Sequence, residues 1–203
     1  MAIVTDIREN RGMVEIILEG SAFARMRKSH FDKCPLAAGD DIDEAAWLDR
    51  VAAVQFADAY EAALSSLDRS ARTAHDLTTA LRRRGIVQPA IDAVLARLTE
   101  NGLIDDARYA LRMAELQSDK PTGVYAFRQK LRAKGVSDDD AEEALALFDE
   151  DQQRRAALQA ARKLYRKYEG LPKREARGKL SQALARRGFG WGAIESAVEA
   201  LLE

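Results

Sequence analysis

The side chains whose types and spacing first suggest catalysis are two histidines, His30 and His75, a single cysteine, Cys34, and the carboxylate pair Asp105-Asp106. His30, His75 and Cys34 stand in unrelated contexts and make no metal-ligand pattern. A cysteine nucleophile needs a base and a group to orient that base, and no such arrangement surrounds Cys34, which reads as a buried or incidental thiol. Asp105-Asp106 would suit metal or acid–base work. Their position at the start of a helix over Asp106–Leu116 fits better with capping free N–H groups and complementing the helix dipole. Arg108 and Tyr109 then fall in the first turn, where the ring packs. His75 lies within Thr73-Ala74-His75-Asp76, a capping box on a surface. Glycines stand singly at helix ends, not as GxGxxG or GxxxxGK[ST], so no phosphate loop is expected. These residues predict neither an enzyme nor a bound metal or cofactor.

The chemistry that stands out is cationic. Arg154, Arg155, Arg162, Lys163, Arg166 and Lys167 recur on one helix, followed by Lys173, Arg174, Arg177, Lys179, Arg186 and Arg187. Arg162 with Arg166, and Lys163 with Lys167, are like-charged i,i+4 pairs, which slightly destabilise an isolated helix. An anion would relieve that repulsion: phosphate, the acidic surface of a partner, or the acidic middle of this chain. Arg82, Arg83 and Arg84 form a second basic run, whose first role is at a helix end. Phe189 and Trp191 beyond the last run are expected to pack in a core rather than stack on bases.

Net charge is −1, but it is unevenly spread: residues 101–153 carry net −5 and residues 154–203 net +7. The basic end would face phosphate or an acidic protein, whereas the acidic middle would repel DNA. A bland alternative is that these charges only solvate helix backs. Hydrophobic residues make up 47% and aromatics 6%, and only four prolines occur, which favours helices over a sandwich or barrel. One cysteine precludes an internal disulfide, and the start has neither a basic n-region nor a long apolar run, so a cytoplasmic protein is expected. No apolar stretch approaches the roughly 18 residues that would span a bilayer.

Three segments superimpose and must position the cations: Leu77–Ile86, Phe127–Val136 and Leu180–Phe189. Each has a Leu or Phe pair four apart, basic residues, and then Gly85, Gly135 or Gly188, spaced 50 and 53 residues apart. Six residues beyond the glycines stand Ile91, Ala141 and Ile194; ten beyond, Leu95, Leu145 and Val198; thirteen beyond, Leu98, Phe148 and Leu201. The pair is the apolar stripe of one helix, and Arg or Lys in its last turn meets the negative end of the dipole. The glycine is then a left-handed cap that satisfies leftover carbonyls. Upstream helices are predicted at Phe56–Leu67, Asp106–Leu116 and Arg155–Tyr168. The fold class is therefore all-α: three tandem three-helix repeats forming an elongated curved body. Ahead of them, Ile3–Ile7 and Met13–Leu18 flank a turn at Glu9–Gly12 and predict a small N-terminal β-hairpin packed on a helix, with a third strand near Phe23–Phe31. Pro35–Asp41 reads as a linker, and Asp41–Glu44 as a capped helix start. The expected division is 1–40 for hairpin and linker, and 41–102, 103–152 and 153–203 for the repeats.

The run Asp76–Gly85, continuing through Leu95–Glu100 into Asn101-Gly102-Leu103-Ile104-Asp105-Asp106-Ala107-Arg108-Tyr109-Ala110, resembles the signature of the RecX family, bacterial regulators of the RecA recombinase. Leu184-Ala185-Arg186-Arg187-Gly188-Phe189 looks like that family's third repeat, and the likeness spans roughly residues 55–203. The hairpin resembles an extension that some members carry. The chain departs from the family where second repeats usually open with several basic residues: here stands Gly123-Val124-Tyr125-Ala126-Phe127, with Asp138–Asp140 and Glu142-Glu143 close behind, which weakens the case for DNA contact through the middle repeat. The resemblance implies a monomer that modulates, usually by inhibition, the RecA filament in recombination, DNA repair and the SOS response. It would lie in the filament groove and touch recombinase and, in addition, single- or double-stranded DNA. The other reading is a helical DNA-binding module that acts without recombinase.

Overall fold

The computed structural model describes residues 1–117 and 120–202. By backbone proximity the chain divides into two compact units, Met1–Asp105 and a second from Asp106 onward.

The first unit begins with antiparallel strands β1 (Ala2–Asn10), β2 (Met13–Leu18) and β3 (Ser21–Arg27), a single helical turn α1 (Lys28–Phe31) and a short strand β4 (Asp41–Ile42), in the order β3-β2-β1-β4. The expected hairpin is thus the middle of a four-stranded sheet. Both of its tight turns are two-residue loops with positive φ throughout, Arg11-Gly12 at 50° and 76° and Glu19-Gly20 at 49° and 82°. That geometry matches the right-handed strand twist. The third strand ends four residues before Phe31, where α1 takes over. Pro35–Asp41 is not a free linker: Gly39 N–H donates to Val4 O, Val4 N–H donates to Asp40 O, and the chain runs directly into β4.

Val14, Ile16 and Leu18 alternate onto a buried face, as their spacing requires. They share one core with the helices that follow: α2 (Glu44–Arg69), α3 (Ala74–Arg83) and α4 (Gln88–Glu100). The first helix begins at Glu44, well ahead of Phe56, because Asp43 Oδ1 accepts from Ala46 N at 3.1 Å. Thr73 caps α3 in the same way, with Asp76 N at 3.2 Å. Cys34 is half-buried against this core, and its carbonyl accepts from Trp47 Nε1.

A buried polar network lies beneath the α3–α4 turn. Gln55, fully buried on α2, donates to Gly85 O at 3.0 Å and accepts from Val87 N at 2.7 Å. It also donates to His30 Nδ1 at 3.3 Å, which leaves the ring proton on Nε2, 2.8 Å from Asp58 Oδ2. His30, expected at no particular site, is thus the link between α1 and α2. Its bond holds the Asp58 carboxyl below its ordinary value of 3.8, so Asp58's contribution to stability is present above that pH and is lost as pH falls through the lowered value. Gln55→Leu keeps the apolar volume but orphans a buried N–H and a buried carbonyl. It is expected to cost about 2–4 kcal/mol in urea unfolding. Asp58→Asn, at the exposed end, should cost far less.

The second unit comprises α5 (Asp106–Gln117), α6 (Val124–Ala133), α7 (Asp138–Leu145), α8 (Glu150–Tyr165), α9 (Lys173–Ala185) and α10 (Trp191–Leu202). Alpha-helical stripes four residues apart, such as Phe127 with Leu131 and Leu180 with Leu184, are buried at 1% exposure or less. Tyr109 is half-buried against the α5–α7 core, as expected for a ring in that first turn. Both boundaries of α8 differ from the expected Arg155–Tyr168: it begins at Glu150, because Asp149 Oδ1 accepts from Gln152 N at 2.6 Å, and it ends at Tyr165, with Arg166 as its C-cap.

The repeat is visible in backbone detail. Gly85, Gly135 and Gly188 have φ of 77°, 74° and 79°. The amides of Ile86, Val136 and Phe189 bond back to the carbonyls of Leu81, Leu131 and Leu184 at 3.2, 3.2 and 3.3 Å. These are the long bonds of a Schellman cap, and the residue after each glycine is buried beside it. The expected organisation as three-helix repeats behind a small N-terminal sheet is what the chain adopts.

Candidate nucleic-acid interface

The twelve basic residues between Arg154 and Arg187 are all exposed. Arg154 bonds Glu150 at 3.0 Å and Asp151 at 3.3 Å, and Lys179 bonds Glu175 at 2.9 Å. Among the described residues the other ten have no carboxylate within salt-bridge reach.

The fold sorts eleven of them into two groups and leaves Lys179 midway along the helix α9. Arg162, Lys163, Arg166, Lys167, Lys173, Arg174 and Arg177 gather where α8 turns into α9. Arg154 and Arg155 stand near the start of α8, some 18 Å away along the helix from Arg166 at about 1.5 Å per residue. Arg186 and Arg187 follow the end of α9. The repulsion within the α8 pairs is partly offset by the helix itself. Arg162 and Lys163 occupy the last turn, Arg166 is the cap and Lys167 lies beyond it, so the negative end of the helix already offsets part of their repulsion. The next helix opposes the cations at its own start. Lys173 and Arg174 stand in the first turn of α9, where the dipole disfavours cations, and its N-cap is Pro172, with no side-chain hydrogen bond. This end of the third repeat therefore concentrates positive charge that the fold leaves unbalanced.

In the middle repeat two of the cations are paired locally. Arg128 bonds Glu142 at 2.7 Å and Arg132 bonds Asp138 at 2.9 Å. The Arg132 bond holds the Asp138 carboxyl below its ordinary value and raises the guanidinium's own. In the first unit Arg82 and Arg83 form the last turn of α3 and Arg84 is its C-cap. Arg82 donates twice to Gln88 Oε1, at 2.9 and 2.7 Å, across the glycine turn, while Arg83 and Arg84 are exposed. For Arg82 a contact at the helix end is thus visible.

Phe189 is buried, as expected, but Trp191 is not: it is 71% exposed at the start of α10. Phe189 already fills the apolar position that follows the glycine cap, and Trp191 falls on the solvent side of the next helix. Nearby, three successive amides at the start of α6 are all satisfied by the third repeat. Gly123 N–H donates to Arg187 O at 3.0 Å, Val124 N–H to Gln153 Oε1 at 3.1 Å and Tyr125 N–H to Gly188 O at 3.0 Å. The second and third repeats are thereby hydrogen-bonded to one another at the backbone.

Among the described residues no helix is long and apolar enough to cross a membrane, and no group of three His, Cys, Asp or Glu side chains is placed to hold a metal ion.

Comparison with known proteins accords with this architecture. Residues 59–98, 105–145 and 150–198 match the family models for the first, second and third three-helix domains of RecX. A regulatory protein RecX of Levilactobacillus brevis is 32% identical over 194 residues, covering 93% of this chain and 72% of its own. One from Limosilactobacillus reuteri is 29% identical over 185 residues, covering 91% and 70%. A crystal structure of regulatory protein RecX superposes with a TM-score of 0.69 at 28% identity, over 98% of this chain and 100% of that one. A structure of RecX from Lactobacillus salivarius gives 0.66 at 27% identity, over 73% and 97%. Three domain models in the right order, each centred on one of the glycine-capped repeats, leave one assignment: the chain belongs to the RecX family of regulatory proteins.

Proposed function

We propose that this protein regulates the RecA recombinase, inhibiting it by binding as a monomer in the groove of the RecA filament in the cytoplasm. Family membership supports the recombinase as partner. The observation that carries the mode of binding is the exposed and mostly unpaired positive charge of the third repeat, which suits the phosphates of the filament's DNA. Repeated modules suit a helical polymer, because several weak contacts made together raise avidity without any single strong one. The acidic middle repeat then serves in contact with protein or in spacing the modules. No step of this activity asks the chain to make or break a covalent bond.

Purified protein added at substoichiometric to stoichiometric ratios should lower recombinase ATP turnover on single-stranded DNA and slow strand exchange. Unchanged turnover and strand exchange over that range would refute the reading. A DNA-binding module acting without recombinase is the alternative, favoured by the same unpaired cations. It predicts equal affinity for naked DNA and for the filament, whereas the filament reading predicts tighter binding to the filament.

A further inference from the structure

The three repeats serve as controls for one another at the turn after their second helix. Three residues before and three after the capping glycine, the first repeat has Arg82 and Gln88, joined by two hydrogen bonds, and the second has Arg132 and Asp138, joined by one. Each pair clasps the turn. In the third repeat the same positions are Ala185 and Trp191, so the clasp is gone and an indole stands 71% exposed in its place. Folding does not account for this ring, because the turn keeps its glycine and its cap bonds without a clasp, and the core position beside it is filled by Phe189.

Beside the ring is a cleft of about 320 Å³, lined by Val124, Tyr125, Phe148, Gly190 and Gly192 among others and by the ion pair of Arg154 with Glu150 at 3.0 Å. Tyr125 is 57% exposed. The glycines on either side of Trp191 keep the approach open: a Cβ on Gly192 would meet nothing within 4 Å, and one on Gly190 only the Tyr125 ring at 3.6 Å. Arg186 and Arg187, exposed and without carboxylate partners, close the preceding helix, and residues 154–203 carry net +7.

From the Trp191 ring, the cleft beside it and the two unpaired cations that end the preceding helix we infer a stacking site for an unpaired base of single-stranded DNA. Every base offers a π-face, so exposed aromatic rings beside backbone-tracking cations hold single strands with little regard to sequence. This deepens the proposed function, on which it rests only in assuming that nucleic acid is contacted. It also places the aromatic contact at the Arg186–Arg187 end of the third repeat, apart from the α8–α9 turn, so that a strand running between them would be held by charge at one end and by a ring at the other.

The chain has two tryptophans, and Trp47 is 1% exposed, so a ligand stacking on Trp191 should quench only the exposed one. Oligothymidylate should quench the fluorescence of the parent, and an abasic oligonucleotide of equal length and charge should bind more weakly and quench little. Trp191→Ala should weaken oligothymidylate binding about 5- to 150-fold with the salt slope unchanged. Trp191→Phe should retain most of the affinity while losing the quenching, and both variants should keep the parent's helical content. Equal binding of thymidylate and abasic strands, or full affinity in Trp191→Ala, overturns the stacking site while leaving the electrostatic reading intact. The cleft would then hold a recombinase segment if filament binding alone is lost, or a second copy of this chain if self-association is. Failure of any oligonucleotide to bind the parent at low salt overturns both readings.

Discussion

Gly188→Ala is expected to destabilise the second unit by about 3 kcal/mol or more, a large part of the roughly 5–15 kcal/mol that holds a typical domain folded. Two costs add. At φ 79° an L side chain is strained, by roughly 1–2 kcal/mol. A Cβ there would also stand 2.1 Å from Ala126 N, inside the backbone of α6, where no side-chain rotation relieves it. Overpacking of that kind costs about 1–3 kcal/mol. Gly123 sits across the same joint, and its Cβ would come within 2.0 Å of the Gly188 carbonyl carbon. Gly123→Ala should therefore be harmful although its own φ of −76° is ordinary. Gly170→Ala supplies the control: its φ is 89°, but nothing lies within 4 Å, so only the strain is felt. Urea unfolding followed by helical circular dichroism ranks the three. If Gly188→Ala costs no more than Gly170→Ala, the close joint between the second and third repeats is not what holds this unit together.

Reversing Arg162, Lys163, Arg166 and Lys167 to Glu is expected to have the largest effect on binding. Each phosphate that is no longer neutralised lowers the slope of log K against log salt by about 0.7 to 0.9, so four of them lower it by about 3. At about 0.1 M salt that is on the order of a thousandfold in affinity for DNA, if the salt-independent part of binding is unchanged. These side chains are exposed and unpaired, so the variant should keep its helical content. Its melting temperature should drop slightly, since Glu at the end of α8 opposes the dipole that Arg and Lys complement. The matching reversal at Arg82, Arg83 and Arg84 should cost more stability and less binding, because Arg82 is engaged with Gln88. Binding with the parent's affinity and salt slope would mean that the α8–α9 face only solvates the helices.

What the sequence showed of the fold, and what it hid, follows from where the physical signals reside. The capping glycines were legible because few residues accept positive φ and because the stripe at six, ten and thirteen residues recurs behind each. The Glu19-Gly20 turn and β4 were not. Glu19 N–H donates to Ile3 O and Gly20 N–H to Thr5 Oγ1, while Gly39 N–H donates to Val4 O; partners so far apart in sequence leave no local pattern, and Pro35–Asp41 has the composition of a linker. Phe189 and Trp191 look alike as apolar residues after a cap. Only the three-dimensional turn shows that the first takes the buried place and the second is turned out. Aligning Trp191 with Gln88 and Asp138 across the repeats would have flagged it, because both counterparts are polar. The basic run was plain as a charge excess. Its division into two ends, and the bonds from Arg128 and Arg132 into the acidic α7, depend on helix positions that net charge cannot report.

The most direct test is to image single recombinase filaments on single-stranded DNA while this protein is added, alongside the chain reversed at Arg162, Lys163, Arg166 and Lys167. The parent is expected to shorten or halt growth of the filaments in proportion to its concentration, and the reversed chain, equally folded, to do so only at much higher concentration. Filaments that grow at the same rate and to the same length with the parent present would contradict the account. So would equal action by both chains, which would place recognition elsewhere than on the third repeat's basic face.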